Sequence, residues 1–337
     1  MLKKILTYCI VAMAAIDAYA QDIHFSNFYT NTLNLNPADA GFFTGHYRFC
    51  LAYRDQYRTV AKPYQTVTAN FDGKVAKRGW NFILGYGALL NMDVAGDANY
   101  NTVQFGIPFA QHFKLVSNTV IISYGILPAI HYCSFDYANL TFGEQFEGMK
   151  YNPDAEITEA LDMNEVTYFD LNAGVMGTFK PRKNQTYTIG VAMYNINQPD
   201  ISFYDNDIPL PHRFLVHGSG IISPTSNIDV IPGFKMQFQG KQHEFHFGLM
   251  GISYFDGSAV SQVQYGAWFR SKNKDAVIFG IGCRYSGFDI MFNYDLNISS
   301  LKTASNGHGA AEITLSYIVE NNNKSKRMAA VRCPHTL

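Results

Sequence analysis

Several charged side chains lie at alternate positions within otherwise apolar segments, which is the spacing of one face of a β-strand. Arg48 and Arg54 alternate with aromatic residues in the first such segment, and Glu312 lies in the last. A charge on an inward strand face is tolerated when it is paired or hydrated. We therefore expect an ion-pair network where the first and last segments meet, with separate, water-solvated charges as the alternative. The candidate residues are Arg48, Arg54, Arg284, Asp289, Asp295 and Glu312.

Acidic side chains also concentrate between residues 134 and 165. Asp136, Glu144 and Glu147 are candidates there for binding a partner. The stretch would suit calcium or a basic protein surface, although it lacks the fixed oxygen spacing of an EF-hand loop. A solvated surface loop is the alternative. Asp205 and Asp207 lie between prolines in residues 195–212 and form a second candidate contact site.

Enzyme and metal motifs are absent from the sequence. It contains no nucleophile motif, phosphate-binding loop or HExxH. His243 and His246 are three residues apart, so on a strand they would face opposite sides. The cysteines share no CxxC spacing, which leaves a cysteine zinc site unsupported. We expect no catalytic activity, no cofactor and no metal site.

The composition excludes several classes of protein. The chain has 337 residues and a formal net charge of −1, with 47% hydrophobic, 15% aromatic and 16% charged residues. It is too apolar and aromatic for a disordered protein. It also lacks the basic surplus with which proteins bind nucleic acid.

Residues 1–20 have the pattern of a secretory signal peptide. Lys3 and Lys4 precede an apolar run from residue 5 to residue 16, and Ala18-Tyr19-Ala20 forms an A-x-A site. Cleavage is predicted after Ala20, and the protein would then be exported. A buried N-terminal helix is the alternative.

Alternation with a period of two dominates the rest of the chain and predicts strands. Clear examples are residues 47–54, 169–176, 244–249, 277–285, 288–296 and 312–319, and weaker candidates fill the gaps. Together they make about fourteen strands of roughly ten residues, which is the length that crosses a bilayer when tilted. We predict an all-β fold, a transmembrane antiparallel β-barrel of outer-membrane type over residues 45–319.

The lengths of the connections between these strands support a barrel, partly independently of the alternation. Long connections, at about 131–165, 195–212 and 297–308, would all lie at one end of the barrel. Short turns, predicted at 110–118, 180–185, 223–227, 255–259 and 286–287, would lie at the other, as in outer-membrane barrels. A secreted β-sandwich is the competing fold, because its strands alternate as well.

The two ends of the chain depart from the strand pattern. Residues 21–44 are apolar, aromatic and rich in amide side chains, and they would either plug the barrel or lie along its periplasmic rim. Residues 320–337 are basic and would extend from the last strand into the periplasm. This tail would be either a solvated overhang or a handle for a periplasmic partner.

The two ends also carry a family resemblance. The stretch QDIHFSNFYTNTLNLNPADAGFFTGHYRFCLAYRDQY, followed by KPYQTVTANFD, resembles the type IX secretion system membrane proteins PorP/SprF of the Bacteroidota. The C-terminal YDLNISSLKTASNGHGAAEITLSYI and the final Cys-Pro also match, whereas Tyr57 replaces the usual Trp. The N-terminal motif residues are Asn36, Pro37, Gly41, Arg54, Asp55 and Gln56.

The resemblance implies an outer-membrane barrel that works with the type IX secretion machinery. Family members support the export and surface attachment of proteins that bear a C-terminal sorting domain, including adhesins used in gliding. The implied partners are outer-membrane lipid, such a secreted protein, and periplasmic ring components. The step NPA-x-x-G is also similar to that of FadL-type transporters, so uptake of a hydrophobic small molecule is the alternative function. A secreted soluble adhesin is a third class, and it would appear in the medium without detergent.

Overall fold

The computed structural model describes residues 25–60, 62–77, 79–115, 119–136, 143–147, 150–152, 164–203, 207–271, 275–299 and 302–319. Their helices are single turns: Thr32–Leu35 and Lys302–Ser305, with 3-10 turns at Pro37–Asp39 and Gly143–Gln145. Across this described part of the chain, no helix has both the length and the apolar character needed to traverse a membrane.

Antiparallel strands make up nearly all of the described chain. The first six are β1 Tyr47–Gln56, β2 Tyr64–Val75, β3 Phe82–Ala95, β4 Tyr100–Gly106, β5 Phe109–Leu115 and β6 Val120–Ser134. A small hairpin follows, β7 Phe146–Glu147 and β8 Lys150–Tyr151. The rest are β9 Glu165–Arg182, β10 Gln185–Tyr194, β11 Arg213–Thr225, β12 Ile228–Gln239, β13 Gln242–Tyr254, β14 Val260–Ser271, β15 Ala276–Tyr285, β16 Phe288–Asn297 and β17 His308–Val319.

The large sheet closes on itself. Strand β1 pairs with β17 on one side and with β2 on the other. Outside the β7–β8 hairpin, each remaining strand pairs with its neighbours in sequence order, and β4 and β5 together fill one position between β3 and β6. The described strands therefore form a closed antiparallel barrel of fourteen positions, and the predicted fold is confirmed.

The two faces of each strand differ in burial as expected for a membrane barrel, with large apolar side chains exposed on the outside and the inward side chains buried. On β1, Phe49 and Leu51 are 47% and 48% exposed, whereas Cys50 and Ala52 are 6% and 1% exposed. In a β-sandwich the apolar face would be buried against a second sheet. Here the large apolar side chains point outward around the barrel, which is the arrangement that lipid favours.

One predicted turn is shorter than expected. It was predicted over residues 110–118, but β5 continues to Leu115 and the connection to β6 is 116–119. The ladder is interrupted earlier, at Ile107-Pro108, because proline has no N–H to donate to it. The Pro108 carbonyl still accepts from the Gly87 N–H at 3.0 Å, and Ile107 N–H donates to the Pro128 carbonyl at 3.0 Å. The strand register is therefore the same before and after the interruption.

The two ends of the barrel differ in their connections. The connections 135–164, 195–212 and 298–307 leave one end, which we call the long-loop end, together with shorter ones at 57–63, 96–99, 240–241 and 272–275. The other end, the short-turn end, has connections at 76–81, 116–119, 183–184, 226–227, 255–259 and 286–287.

Candidate functional site

The interior of the barrel is occupied by residues 25–46, which we call the N-terminal segment. Ser26 and Asn27 contact β17, Tyr29 contacts β12, and Asn34 contacts both β2 and β3. The segment's Phe28 and Leu33 are 5% and 2% exposed. Because these contacts reach strands all around the wall, the described part of the segment lies in the lumen and not along the rim.

The Asn-Pro-Ala step holds the segment at mid-lumen. Asn36 caps the 3-10 turn, since its Oδ1 accepts from Ala38 N–H at 2.9 Å, and Pro37 takes the first position of the turn, where a missing N–H costs nothing. The Asn36 side-chain amide donates to the Val175 carbonyl at 3.2 Å and lies 3.1 Å from His217 Nε2. One side chain therefore caps the start of the turn and binds it to the wall.

Glycines let the segment approach the wall closely. A Cβ at Gly174 would collide with the Asn36 amide, and one at Gly85 would collide with the Ala40 carbonyl. Gly41 has φ of +73°, a left-handed conformation that side-chain-bearing residues rarely adopt. Its N–H donates to Asp72 at 2.8 Å. At Gly85 and Gly174 the segment packs directly against the wall, with no room for a side chain at the glycine.

Buried charges fix the start of the segment near the long-loop end. Arg54 lies 2.9 Å from Asp295 and 3.4 Å from Glu312, and it also contacts the Ser26 hydroxyl. Glu312 in turn accepts from the backbone N–H groups of Ser26, at 2.6 Å, and Asn27, at 3.0 Å. These residues form a cluster across the β1–β17 seam, and they connect it to the segment. We call it the seam cluster.

Arg48 does not join the seam cluster. It pairs with Asp72 at 2.8 Å and with Asp39 of the segment at 3.2 Å. Six residues separate Arg48 from Arg54, or roughly 20 Å along a strand. Asp72 is also directly opposite Arg48 on β2. The expectation that Arg48 pairs with Asp289, Asp295 or Glu312 is therefore wrong.

Arg284 and Asp289 form a third, separate pair. They face each other across β15 and β16 at 2.6 Å. Gln262 and Gln264 of β14 also donate to Asp289, at 2.7 and 2.9 Å. The six predicted charges thus fall into three groups instead of one network.

Sequence reasoning missed other buried charges. Arg270 pairs with Asp295 at 2.9 Å and with Asp275 at 2.8 Å, which extends the seam cluster to β14. Lys235 pairs with Glu244 at 2.8 Å on the adjoining strands. Alternation indicates that these side chains face inward, but the Arg270–Asp295 pair spans two strands with β15 between them, which strand order alone does not predict.

Part of the lumen wall is apolar. Between β11 and β16 a patch of the inward face packs on Phe28 and Tyr29 of the segment. Tyr29 lies 6.3 Å from Trp268, measured between ring centroids. Buried polar side chains such as Gln264 and Asn293 lie on the same strands beside this patch. The apolar lining consists of Ile221, Ile231, Met250, Ile252, Trp268, Ala276, Ile278 and Met291.

The candidate partner-binding residues lie at the long-loop end. Glu144 and Asp207 are exposed, and Asp136 N–H donates to the Ala98 carbonyl at 2.7 Å. Glu147 lies in the β7–β8 hairpin. Asp205 falls outside the described residues, as do residues 1–24 and 320–337, on which the predicted signal peptide and basic tail lie.

The described part of connection 195–212 is folded back on the barrel. Asp200 accepts from the backbone N–H groups of Ser202, at 3.0 Å, and Ile208, at 2.9 Å, and these bonds lower the pKa of its carboxyl group. Phe203 packs edge-on against Phe135, with ring centroids 4.9 Å apart, and it also contacts Tyr100. An aromatic contact therefore joins two connections to the start of β4 at this end.

The remaining motif residues, Asp55 and Gln56, and the two histidines considered as metal ligands lie on opposite faces of their strands. Gln56 accepts from Arg54 in the lumen at 3.4 Å. Asp55 faces the opposite side and pairs with Arg58. His243 is exposed and His246 is buried, so the two lie on opposite faces. Among the described residues, no three His, Cys, Asp or Glu side chains are grouped so as to hold a metal ion.

A family model described as type IX secretion system membrane protein PorP/SprF matches residues 17–317. No relative is found among the curated proteins. Among solved structures, the chain is similar to the toluene transporter TbuX of Ralstonia pickettii, with a TM-score of 0.52 and 11% identity over 86% of this chain and 92% of that one. It is also similar to the CymD monoaromatic hydrocarbon channel (0.51, 11%, 87% and 93%) and to the P. putida toluene transporter TodX (0.50, 9%, 85% and 93%). At these identities the likeness concerns the fold.

Proposed function

Because the chain belongs to the PorP/SprF family of type IX secretion system membrane proteins, we propose that it is an outer-membrane platform that docks an exported protein. The cargo would bear a C-terminal sorting domain, and docking would serve its secretion or its attachment to the cell surface. The proposal rests mainly on the filled lumen. The N-terminal segment contacts the wall from β2 round to β17, so the exterior loops are left to receive a partner.

The long-loop end offers a surface suited to docking. Its aromatic contact of Tyr100, Phe135 and Phe203 orders the connections from beneath. In the same connection as Phe203, Ile208 is 49% exposed and Asp207 is exposed, and Glu144 is exposed in the connection that contains Phe135. A surface that combines apolar and acidic groups on an ordered base suits a folded partner domain that carries basic residues.

The proposed role as an outer-membrane platform also implies an orientation of the barrel in the membrane. The long-loop end would face the exterior and the short-turn end the periplasm, where the secretion machinery lies. The basic residues 320–337 would then be available to periplasmic ring components. A role in gliding motility would follow if the cargo is a surface adhesin. No catalytic step is part of this proposal.

The docking proposal is tested by removing residues 137–163, which spares β6 and β9 and the Asp136–Ala98 contact. Cells that carry this deletion should release the cargo into the medium while the barrel still inserts and shows heat-modifiable migration on gels. A finer variant, Glu144→Gln with Asp207→Asn, should weaken retention, whereas Asp256→Asn at the short-turn end should not. Unchanged retention in the deletion strain would refute docking through this loop.

Passive uptake of an apolar small molecule remains a second candidate, and one observation favours it. The lumen wall between β11 and β16 is apolar where Phe28 and Tyr29 cover it. The solved transporters and channel to which the fold is similar are named for toluene and monoaromatic hydrocarbons. The test is toluene entry into vesicles that contain the wild type or the Phe28→Ala, Tyr29→Ala variant. Entry no faster than into protein-free vesicles, in both cases, would rule transport out.

A further inference from the structure

The short-turn end has a strongly asymmetric charge distribution. Three successive turns, 76–81, 116–119 and 183–184, connect strands that are consecutive around the wall from β2 to β10. Exposed or half-exposed basic side chains flank these turns, and the sequence stretches 73–88, 107–120 and 177–188 contain no Asp or Glu. We call the exposed ones, Lys77, Arg182 and Lys183, the basic arc; Lys114 is left out because it is opposite Ile121, which is buried in the lumen.

The positions of the arc follow from the strand pairing. Lys77 lies in the turn between β2 and β3. Arg182 pairs with Gln185 at the turn from β9 to β10. Strands that are 4.7–4.9 Å apart place the arc over a distance on the order of 25 Å.

Among the described residues, the turns in the other half of the same end lack this charge. The turns 226–227, 255–259 and 286–287 contain no Lys or Arg, and they include one carboxylate, Asp256. Arg284, which lies near this half, is already paired with Asp289 at 2.6 Å. The three side chains of the arc have no carboxylate partner within the described chain, so their charge is available to an external anion.

Aromatic side chains line the outer wall directly beside the arc. Trp80 stacks on Phe82 with ring centroids 4.6 Å apart, and Phe82 faces Phe113 at 6.3 Å. Farther round, Phe179 faces Tyr187 across β9 and β10. Aromatic rings on the lipid-facing wall mark the depth at which acyl chains give way to headgroups. The basic arc therefore lies at headgroup depth or just beyond it.

We propose that the basic arc binds the anionic headgroups of phospholipids in the leaflet at the short-turn end. Lys and Arg beside an aromatic girdle are placed to reach lipid phosphates while the rings remain among the upper acyl carbons. A protein partner would not require the arc to follow the girdle, and that coincidence favours lipid. The inference depends only on insertion of the barrel and not on the docking proposal.

Trp80 provides a local probe of lipid at the arc. It is 39% exposed on the outer wall, whereas the other tryptophan, Trp268, is 2% exposed in the lumen. The experiment reconstitutes the full-length mature protein in vesicles that contain brominated phosphatidylglycerol or brominated phosphatidylcholine, and measures quenching of tryptophan fluorescence. We expect at least threefold stronger association of phosphatidylglycerol at 150 mM salt, and a smaller preference at 500 mM because salt screens exposed charges.

Two variants with equal loss of charge sharpen the test. Neutralising the arc, with Lys77→Gln, Arg182→Gln and Lys183→Gln, should bring the preference close to one. The matched control neutralises three exposed lysines of the long-loop end, with Lys62→Gln, Lys150→Gln and Lys302→Gln, and should keep it. Trp80→Phe should remove most of the quenching, which verifies the location of the probe.

Three results would overturn the proposal. The first is equal quenching by the two lipids in the wild type, and the second is an equal loss of preference in the control variant. The third is a preference of the wild type that does not change with salt. This measurement uses the wild type alone, so it remains valid even if the arc variant fails to insert. If the two lipids quench equally but the arc variant loses a co-purifying acidic periplasmic protein, the arc is a protein-binding surface instead.

Discussion

Arg54 and Asp55 are neighbours on β1, yet their ion pairs occupy different environments. Arg54 faces the lumen, where its side chain and those of Asp295 and Glu312 are each 1% exposed or less. Asp55 faces the outer side near the long-loop end, and its partner Arg58 is 67% exposed. Alternation on one strand thus separates a buried cluster that holds the N-terminal segment from a surface pair that water can replace. The same two residue types should therefore contribute very differently to stability.

The largest effect is expected from Arg54→Met. The substitution leaves Asp295 and Glu312 buried with only Arg270 nearby, and breaking a buried pair costs roughly 3–5 kcal/mol. The midpoint of urea unfolding of the barrel in detergent micelles should fall accordingly. The segment should also become sensitive to protease near Ser26, since Glu312 no longer holds its N–H groups as firmly. A shift no larger than that of an exposed variant would show that the seam cluster is not an anchor.

A second test disturbs the segment without touching a charge. Gly174→Ala places a methyl group against the Asn36 side chain, and overpacking of this kind costs about 1–3 kcal/mol. Gly177, on the same strand, has open space around its Cβ position, so Gly177→Ala is a matched control. Unfolding midpoints and protease sensitivity of the segment should change in the first variant and not in the second. Equal behaviour of the two would mean that Asn36 does not bind the wall tightly.

The surface pair should matter least among the charges. Arg58→Gln removes the partner of Asp55, but exposed ion pairs contribute about 0–1 kcal/mol. Asp55 also keeps hydrogen bonds from Tyr53 at 3.2 Å and Gln65 at 3.4 Å. The urea midpoint should therefore change by less than for Gly174→Ala, and adding salt to the wild type should produce a similarly small change. A large fall in the urea midpoint would mean that the Arg58–Asp55 pair stabilises the barrel as strongly as the buried pairs do.

The sequence predicts the wall of the barrel better than its interior, for a physical reason. Alternation fixes which side chains face inward, and closure sets β1 beside β17, so Arg54 opposite Glu312 could be anticipated. Arg48 has two neighbours, Ile318 on β17 and Asp72 on β2. Asp72 precedes a glycine, and Asp-Gly is common in turns, but β2 continues to Val75. Pairing therefore depended on a strand end that local sequence does not determine.

The apolar lining between β11 and β16 was not predicted from the sequence, for a related reason. Trp268 and Met250 are inward positions of strands whose outward faces are also apolar, so alternation is weak there. Their burial depends on Phe28 and Tyr29, which are more than two hundred residues earlier in the chain. No local pattern connects these residues, because the contact exists only after the segment has entered a closed barrel.

The smallest effect is expected in the exposed connection 195–212, and it depends on pH. Asp200 accepts two backbone N–H bonds, which hold the pKa of its carboxyl group below the ordinary value of about 3.9. A depressed pKa means that this contribution to loop order is complete above the ordinary value and is lost as pH falls through the depressed one. Hydrogen exchange at the Ser202 and Ile208 amides, corrected for intrinsic rates, should therefore stay slow from pH 8 to pH 5 and quicken only below pH 4. Asp200→Asn should quicken exchange at all of these pH values, because a neutral amide oxygen is a weaker acceptor, while the seam cluster remains intact. Exchange that quickens between pH 7 and pH 5 would implicate another group, and the loop would then not be ordered by the Asp200 carboxylate.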